Sequence, residues 1–370
     1  MQNEKREEIQ QEALVEISKH KRSTAALSMR VGKTYIGLQH IQKYHKNSTN
    51  LKVLVVAPKL AVFQGWKDDA EKFNLNYLNK HITFSTYLSL NKQSLDYDLI
   101  IFDECHSLLY SHQDWLNKYT GDILGLTGTP PKLIGSEKGN MVMNYCPVVY
   151  KYTTDEAVEA HILNDYKIIV HMMPMSTSRN LKITTRTGQF WTSEQKNYEY
   201  WSDRVDDART PKEKQIASVM RMKAMQIYPS KDTYTKALLE KIKDKVIIFA
   251  NTKEQAEKLC KHSYHSTNPD SEENLLLFKR GLINPMSCVL QLSEGTTIPQ
   301  LKQAIIMHSY GNERKFRQRF GRCLGLNPEE TSTVHVLCFK DSVDEKWVYD
   351  ALSDLDQSKI IYKDFTHIIR

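Results

Sequence analysis

Taken only as apolar and polar positions, the chain alternates short apolar runs with longer segments of helical period. In the first half the runs fall at 25–28 (AALS), 52–58 (KVLVVAP), 82–87 (ITFSTY), 97–102 (YDLIIF) and 123–126 (ILGL). In the second they fall at 245–251 (KVIIFAN), 288–292 (CVLQL) and 303–307 (QAIIM). Unbroken runs of this length predict strands buried on both faces of a parallel sheet. Between them, residues 4–20 place Ile9, Ala13, Leu14 and Ile17 on one helical face, and 34–43 do the same with Ile36, Leu38 and Ile41. Residues 61–73 and 253–260 also read as helices, and Thr154 with Asp155 and Glu156 opens another. Strand–helix alternation in both halves of a 370-residue chain predicts two α/β domains.

Composition narrows the class only a little. A hydrophobic fraction of 40% and a charged fraction of 26% argue against wholesale disorder. Net charge is +7, which allows a polyanionic partner without requiring one. No apolar run approaches the roughly 20 residues that span a bilayer, and the polar start MQNEKREEIQ does not read as a signal peptide. The six cysteines (105, 146, 260, 288, 323 and 338) form no CxxC pair and no zinc spacing. They read as reduced thiols of a cytoplasmic protein.

The candidate chemistry sits where predicted strands end. Met29-Arg30-Val31-Gly32-Lys33-Thr34 follows the first strand and opens a helix. In such a turn, backbone N–H groups and the helix start face phosphate oxygens. Lys33 then reaches the β- and γ-phosphates of ATP, and the Thr34 hydroxyl ligates Mg2+. Gly32 supplies the tight turn, with Arg30 inside it. Asp103 and Glu104 close the run at 97–102, the edge where open α/β sheets bind ligands. Asp103 can hold the metal and Glu104 can polarise a water. Further on, the basic segment 314–322 (RKFRQRFGR) reads either as a cationic face for phosphates or as the carrier of an arginine finger.

GKT, DECH and LTGTPP, in this order, resemble the motifs of superfamily 2 helicases and translocases. The likeness is greatest to chromatin-remodeller-type and phage recombination helicases, and it extends over nearly the whole chain. It implies two RecA-like parallel-sheet domains with an ATP cleft between them. The ATP-binding domain would be 1–158, and the C-terminal domain 159–370, with a helical, partly basic insert at about 176–245. By this resemblance Gln10 reads adenine, while Pro58, Lys59, Thr86 and Tyr87 track a nucleic-acid backbone. His106, Thr127, Thr129 and Gln318 couple hydrolysis to motion, and Gly295 lies in the nucleotide-contacting EGTTIP segment. QRFGR makes Arg322 the finger, with Arg319 beside it. VHVL at 334–337 and Asp344-Glu345 resemble the remodeller-type ending.

The implied activity is ATP-dependent movement along nucleic acid, DNA in preference to RNA, in phage-type replication, recombination or repair. The implied protein is a monomer of the cytoplasm (the host's, if phage-encoded), with a protein partner for targeting and without membrane contact. Three positions depart from the motifs: Leu27 replaces the leading glycine, Thr297 an aspartate and Gly325 the last arginine. They leave two further readings, a nucleic-acid-binding scaffold with a degenerate ATP site and the motor subunit of a restriction-type complex. Within the insert, Phe190, Trp191, Tyr198, Tyr200 and Trp201 read either as a base-stacking element or as packing, and helical spacing favours packing.

Overall fold

The computed structural model describes residues 2–48, 50–131, 135–185, 188–289, 298–309 and 313–364. The chain forms two compact units, 1–164 with 326–329, and 165–325 with 330–370.

The first unit runs α1 (Gln2–Ile17), β1 (Arg22–Leu27), α2 (Lys33–Asn47), β2 (Val53–Ala57), α3 (Ala61–Lys72), β3 (Ile82–Thr86), β4 (Leu99–Asp103), α4 (Gln113–Lys118), β5 (Asp122–Thr127), α5 (Glu137–Tyr145), β6 (Val148–Tyr152) and α6 (Thr154–Glu159). Its strands pair in parallel, in the order β3-β2-β4-β5-β1-β6. Every residue of β2 and β4 is buried. A strand covered on both faces has no solvent side, hence the continuous Val, Leu, Ile and Phe. Burying each such side chain contributes about 1.5–3 kcal/mol. Because all the strands point one way, the segments after β1, β2, β3, β4 and β5 emerge at the same edge of the sheet. α6 begins at Thr154, as its sequence suggests, and Thr153 before it is the cap: its hydroxyl accepts from Glu156 N–H, and Glu156 reaches back to Thr153 N–H.

The second unit continues with β7 (Asp165–Met173), β8 (Leu181–Thr185), β9 (Gly188–Thr192), α7 (Glu194–Asp206), α8 (Pro211–Gln226), α9 (Pro229–Lys241), β10 (Val246–Ala250), α10 (Lys253–Leu259), β11 (Ser263–Tyr264), α11 (Ser271–Lys279), β12 (Met286–Val289), β13 (Gln303–Ile306), α12 (Glu313–Cys323), β14 (Thr331–Phe339), α13 (Val343–Leu352) and β15 (Ile360–Asp364). Its main sheet is also parallel, in the order β11-β12-β10-β13-β14-β7-β15. β8 and β9 stand apart as an antiparallel hairpin. The segment read from sequence as a helical insert thus begins with a hairpin, followed by α7, α8 and α9.

Two buried polar networks fasten this unit. Lys231 of α9 is wholly buried; its Nζ donates to Met307 O (2.9 Å), Leu337 O (3.1 Å) and Asp344 Oδ2 (2.6 Å). It thereby ties α9 to the ends of β13 and β14 and to the start of α13. A second chain links Tyr234, His171, His335 and Gln303 through contacts of 2.7, 2.9 and 3.0 Å. The six cysteines are buried and none forms a disulfide. No helix among the described residues is long and apolar enough to cross a membrane.

Candidate functional site

β1 feeds a turn with left-handed backbone at two positions, Arg30 (φ 66°) and Gly32 (φ 107°). Glycine takes such geometry without steric cost. It also presents no side-chain oxygen to the first N–H groups of α2, the kind of helix start that receives phosphate oxygens. The turn is braced from α1: Gln10, nearly buried, donates from Nε2 to Val31 O at 2.6 Å. A Cβ on Gly32 would lie 2.4 Å from that Nε2. Lys33 Nζ donates to Leu27 O at 3.3 Å, and a Cβ on Gly128 would lie 3.2 Å from it. The lysine therefore lies between its own turn and the segment after β5. The Thr34 hydroxyl is hydrogen-bonded to Asp69 of α3, whose pKa burial raises.

β4 delivers Asp103 and Glu104 to the same edge. Asp103 accepts a hydrogen bond from Trp66 Nε1 at 2.9 Å. Its pKa is pushed up to about 6, first by burial and then by the charge of Glu104, with Trp66 and Lys33 pulling the other way. Glu104 has φ 55° and ψ 55°, a left-handed conformation uncommon outside glycine and concentrated at functional sites. Thr127 at the end of β5 donates to Glu104 Oε2 at 3.4 Å. His106 Nδ1 lies 2.7 Å from Thr127 Oγ1 and 3.4 Å from Glu104 Oε2. With the single Thr127 proton given to Glu104, Nδ1 of His106 carries the hydrogen it shares with Thr127. Thr129 N–H completes the set, donating to Thr127 Oγ1 at 3.0 Å.

Pro58 (half-buried) and Lys59 (exposed) follow β2, and half-buried Thr86 ends β3. Ala57 and Thr86 are register partners, so these residues leave adjacent strand ends together. Tyr87 turns inward: it is 7% exposed, and its hydroxyl donates to Asp103 O at 2.9 Å. In the second unit, α12 carries Gln318 and Arg319 (both buried) and Arg322 (half-buried). Arg319 Nη1 donates to His308 O at 3.1 Å, and its guanidinium lies 5.6 Å from the centre of the Phe249 ring. Gly295 and Thr297 lie outside the described residues.

Two contributors escape a reading by motif, Trp66 and Asp69. The tryptophan in the helix AVFQGWKDDAEK was the available signal, since a buried indole N–H needs an acceptor. No group of three or more His, Cys, Asp or Glu side chains among the described residues could hold a metal ion. One or two carboxylates beside a hydroxyl and a lysine suit Mg2+ shared with phosphate oxygens, which does not need an all-protein cage. The donor set thus fits a magnesium nucleotide.

Two parallel sheets, the first with this turn and acidic pair at its carboxyl edge, define a RecA-like protein. The family model described as "Type III restriction enzyme, res subunit" matches residues 3–132, and "Helicase conserved C-terminal domain" matches 230–326. The DNA 3'-5' translocase XPB2 of Sulfurisphaera tokodaii is 25% identical over 89% of this chain and 80% of its own. Among solved structures, the DNA-bound Type ISP restriction-modification enzyme LlaBIII superposes with a TM-score of 0.63 at 13% identity, over 97% of this chain and 31% of its own. The Pyrococcus furiosus Hef helicase domain gives 0.52 at 15%, over 92% and 97%. The chain belongs to the superfamily 2 helicases and translocases.

Proposed function

We propose that this chain is an ATP-dependent DNA translocase or helicase. The observation that carries the proposal is the meeting of Lys33, Asp103, Glu104 and Thr127 at one sheet edge, with Glu104 fixed by its backbone and by Thr127. In this reading Lys33 binds the β- and γ-phosphates. Asp103 and Thr34 would hold Mg2+, which neutralises charge on the phosphate oxygens. Glu104 orients the attacking water and accepts its proton, while Thr127 and His106 keep the carboxylate aimed. Trp66 orients Asp103 through its indole N–H. Arg322 of the second unit supplies positive charge to the γ-phosphoryl group, with Arg319 holding α12 in place. Gln10 braces the phosphate-binding turn and stays beside it for adenine. Lys59 and Thr86 contact the nucleic-acid backbone, a role for which buried Tyr87 is poorly placed. DNA as the track follows the XPB2 relative and the DNA-bound restriction enzyme. A setting in phage-type replication, recombination or repair rests only on the resemblance to phage recombination helicases.

The test is ATP turnover with and without single- and double-stranded DNA and RNA. Stimulation of several-fold or more by DNA is expected. Glu104→Gln should lose all turnover and keep ATP binding. Absence of turnover on every nucleic acid would sink the motor reading in favour of a binding scaffold. A restriction-type motor is the second reading, favoured by the res-subunit match over 3–132 and by the Type ISP neighbour. It shares the motor and differs in being coupled to a nuclease.

A further inference from the structure

The aromatic group of the insert divides in two. Tyr198 and Trp201 pack against the core of the second unit. Phe190 and Trp191 are 51% and 57% exposed and lie next to each other on β9. The hairpin's register places Trp191 opposite Lys182 and Phe190 opposite Ile183. Side chains alternate between faces along a strand, so Leu181, Ile183 and Phe190 share one face, and Lys182, Thr184, Gln189 and Trp191 share the other. The first face is turned inward at its base, where Leu181 is buried in the core and Ile183 packs on it, and leaves Phe190 exposed. On the second, all four residues are exposed.

A two-stranded ribbon alone is marginally stable in water, but this one has a fixed base. Glu194, fully buried at the start of α7, accepts from Ser176 N–H (3.0 Å), Asn180 Nδ2 (3.3 Å), Ser230 N–H (2.8 Å) and Ser230 Oγ (2.7 Å). The stretch before the hairpin and the start of α9 are thus clamped to one carboxylate. Charge names the partner. Residues 174–193 contain Arg179, Lys182 and Arg186 and no Asp or Glu. Cations complement phosphates, and exposed rings offer every base a surface on which to stack. In a duplex the base faces are already stacked on one another.

We propose that the β8–β9 hairpin is a binding site for single-stranded nucleic acid, with Trp191 stacking on a base and Lys182 beside it for the phosphate backbone. This goes beyond the motor reading and does not need it, because binding is measured without nucleotide. The probes are a labelled oligo-dT and an abasic strand of equal length, titrated by fluorescence anisotropy against the full chain. Trp191→Ala should weaken oligo-dT binding about fivefold or more, the loss one stacked base carries. It should leave the abasic strand's affinity unchanged. Trp191→Phe, which keeps a ring, should retain most of the affinity, and so separates stacking from damage to the hairpin. Equal losses on both strands, or in both variants, would overturn the proposal. So would unchanged oligo-dT binding in Trp191→Ala, which would assign the exposed rings to a protein partner.

Discussion

Glu104 and Asp103 are neighbours in sequence, yet the fold holds them by different means. Glu104 is aimed by a left-handed backbone and by the Thr127 hydroxyl. Asp103 is buried and depends on one side-chain donor, the indole of Trp66. A hydrogen bond to a charged group contributes about 1.5–3 kcal/mol. Trp66→Phe keeps the ring packing and removes the donor. It should raise the magnesium concentration that half-saturates ATP turnover by about tenfold or more, and an unchanged magnesium titration would show that Trp66 only packs. Gly32→Ala tests the turn. Alanine at φ 107° is strained by about 1–2 kcal/mol. Its Cβ also displaces Gln10 from Val31 O, a buried side chain with nowhere free to go. A loss of at least that size is expected in urea unfolding; equal midpoints would mean that the turn relaxes at no cost.

At the scale of elements, the second unit is fastened by charge and by histidine. Removing one partner of a buried ion pair costs about 3–5 kcal/mol, because the other is left uncompensated, whereas replacing both by apolar groups is often neutral. Lys231→Met should therefore destabilise the chain strongly in urea, and Lys231→Met with Asp344→Leu should recover much of the loss. A double variant no better than the single would show that the lysine's bonds to Met307 and Leu337 matter more than the pair. The histidine chain gives a pH dependence. Burial above all lowers His171 from 6.5 to about 3 and His335 to about 4, so both are neutral in the fold. Unfolding frees them to bind protons below pH 6.5. Stability is accordingly complete above that pH and is lost as pH falls toward about 4, at about 1.4 kcal/mol per pH unit for each group. His171→Phe should flatten the fall of the urea midpoint between pH 6.5 and 4. A slope identical to that of the parent chain would remove His171 from the account.

At the scale of the molecule, the strands that organise both sheets are legible because they are buried on two faces. KVLVVAP, YDLIIF and KVIIFAN have no polar alternation that could suggest anything else. LKITT and GQFWT were not legible as strands. They form an exposed hairpin whose sides carry both apolar and polar residues, and helical spacing farther along drew the aromatics into one group. The site is legible to the same extent. Motif order puts Lys33, Asp103, Glu104 and Thr127 at strand ends, but Trp66 on Asp103, Asp69 on Thr34 and Tyr87 under Asp103 are contacts between elements that no local pattern encodes. In the proposed function, the link between the two units is the arginine on α12. If Arg322 acts on the phosphoryl group held by the first unit, Arg322→Ala should reduce ATP hydrolysis by about a thousandfold, as for an arginine finger. Nucleic-acid binding should stay near normal, because that contact is made by other residues. Net charge argues for the same separation. If the chain, at +7, binds DNA through many phosphate contacts, affinity should fall steeply with salt, and one arginine fewer shifts that slope by at most about one. Hydrolysis and the salt dependence of DNA binding, measured on the same variant, therefore distinguish a finger from a phosphate contact. A large loss of hydrolysis with the slope intact supports the finger. A changed slope with hydrolysis intact moves Arg322 to the nucleic-acid surface.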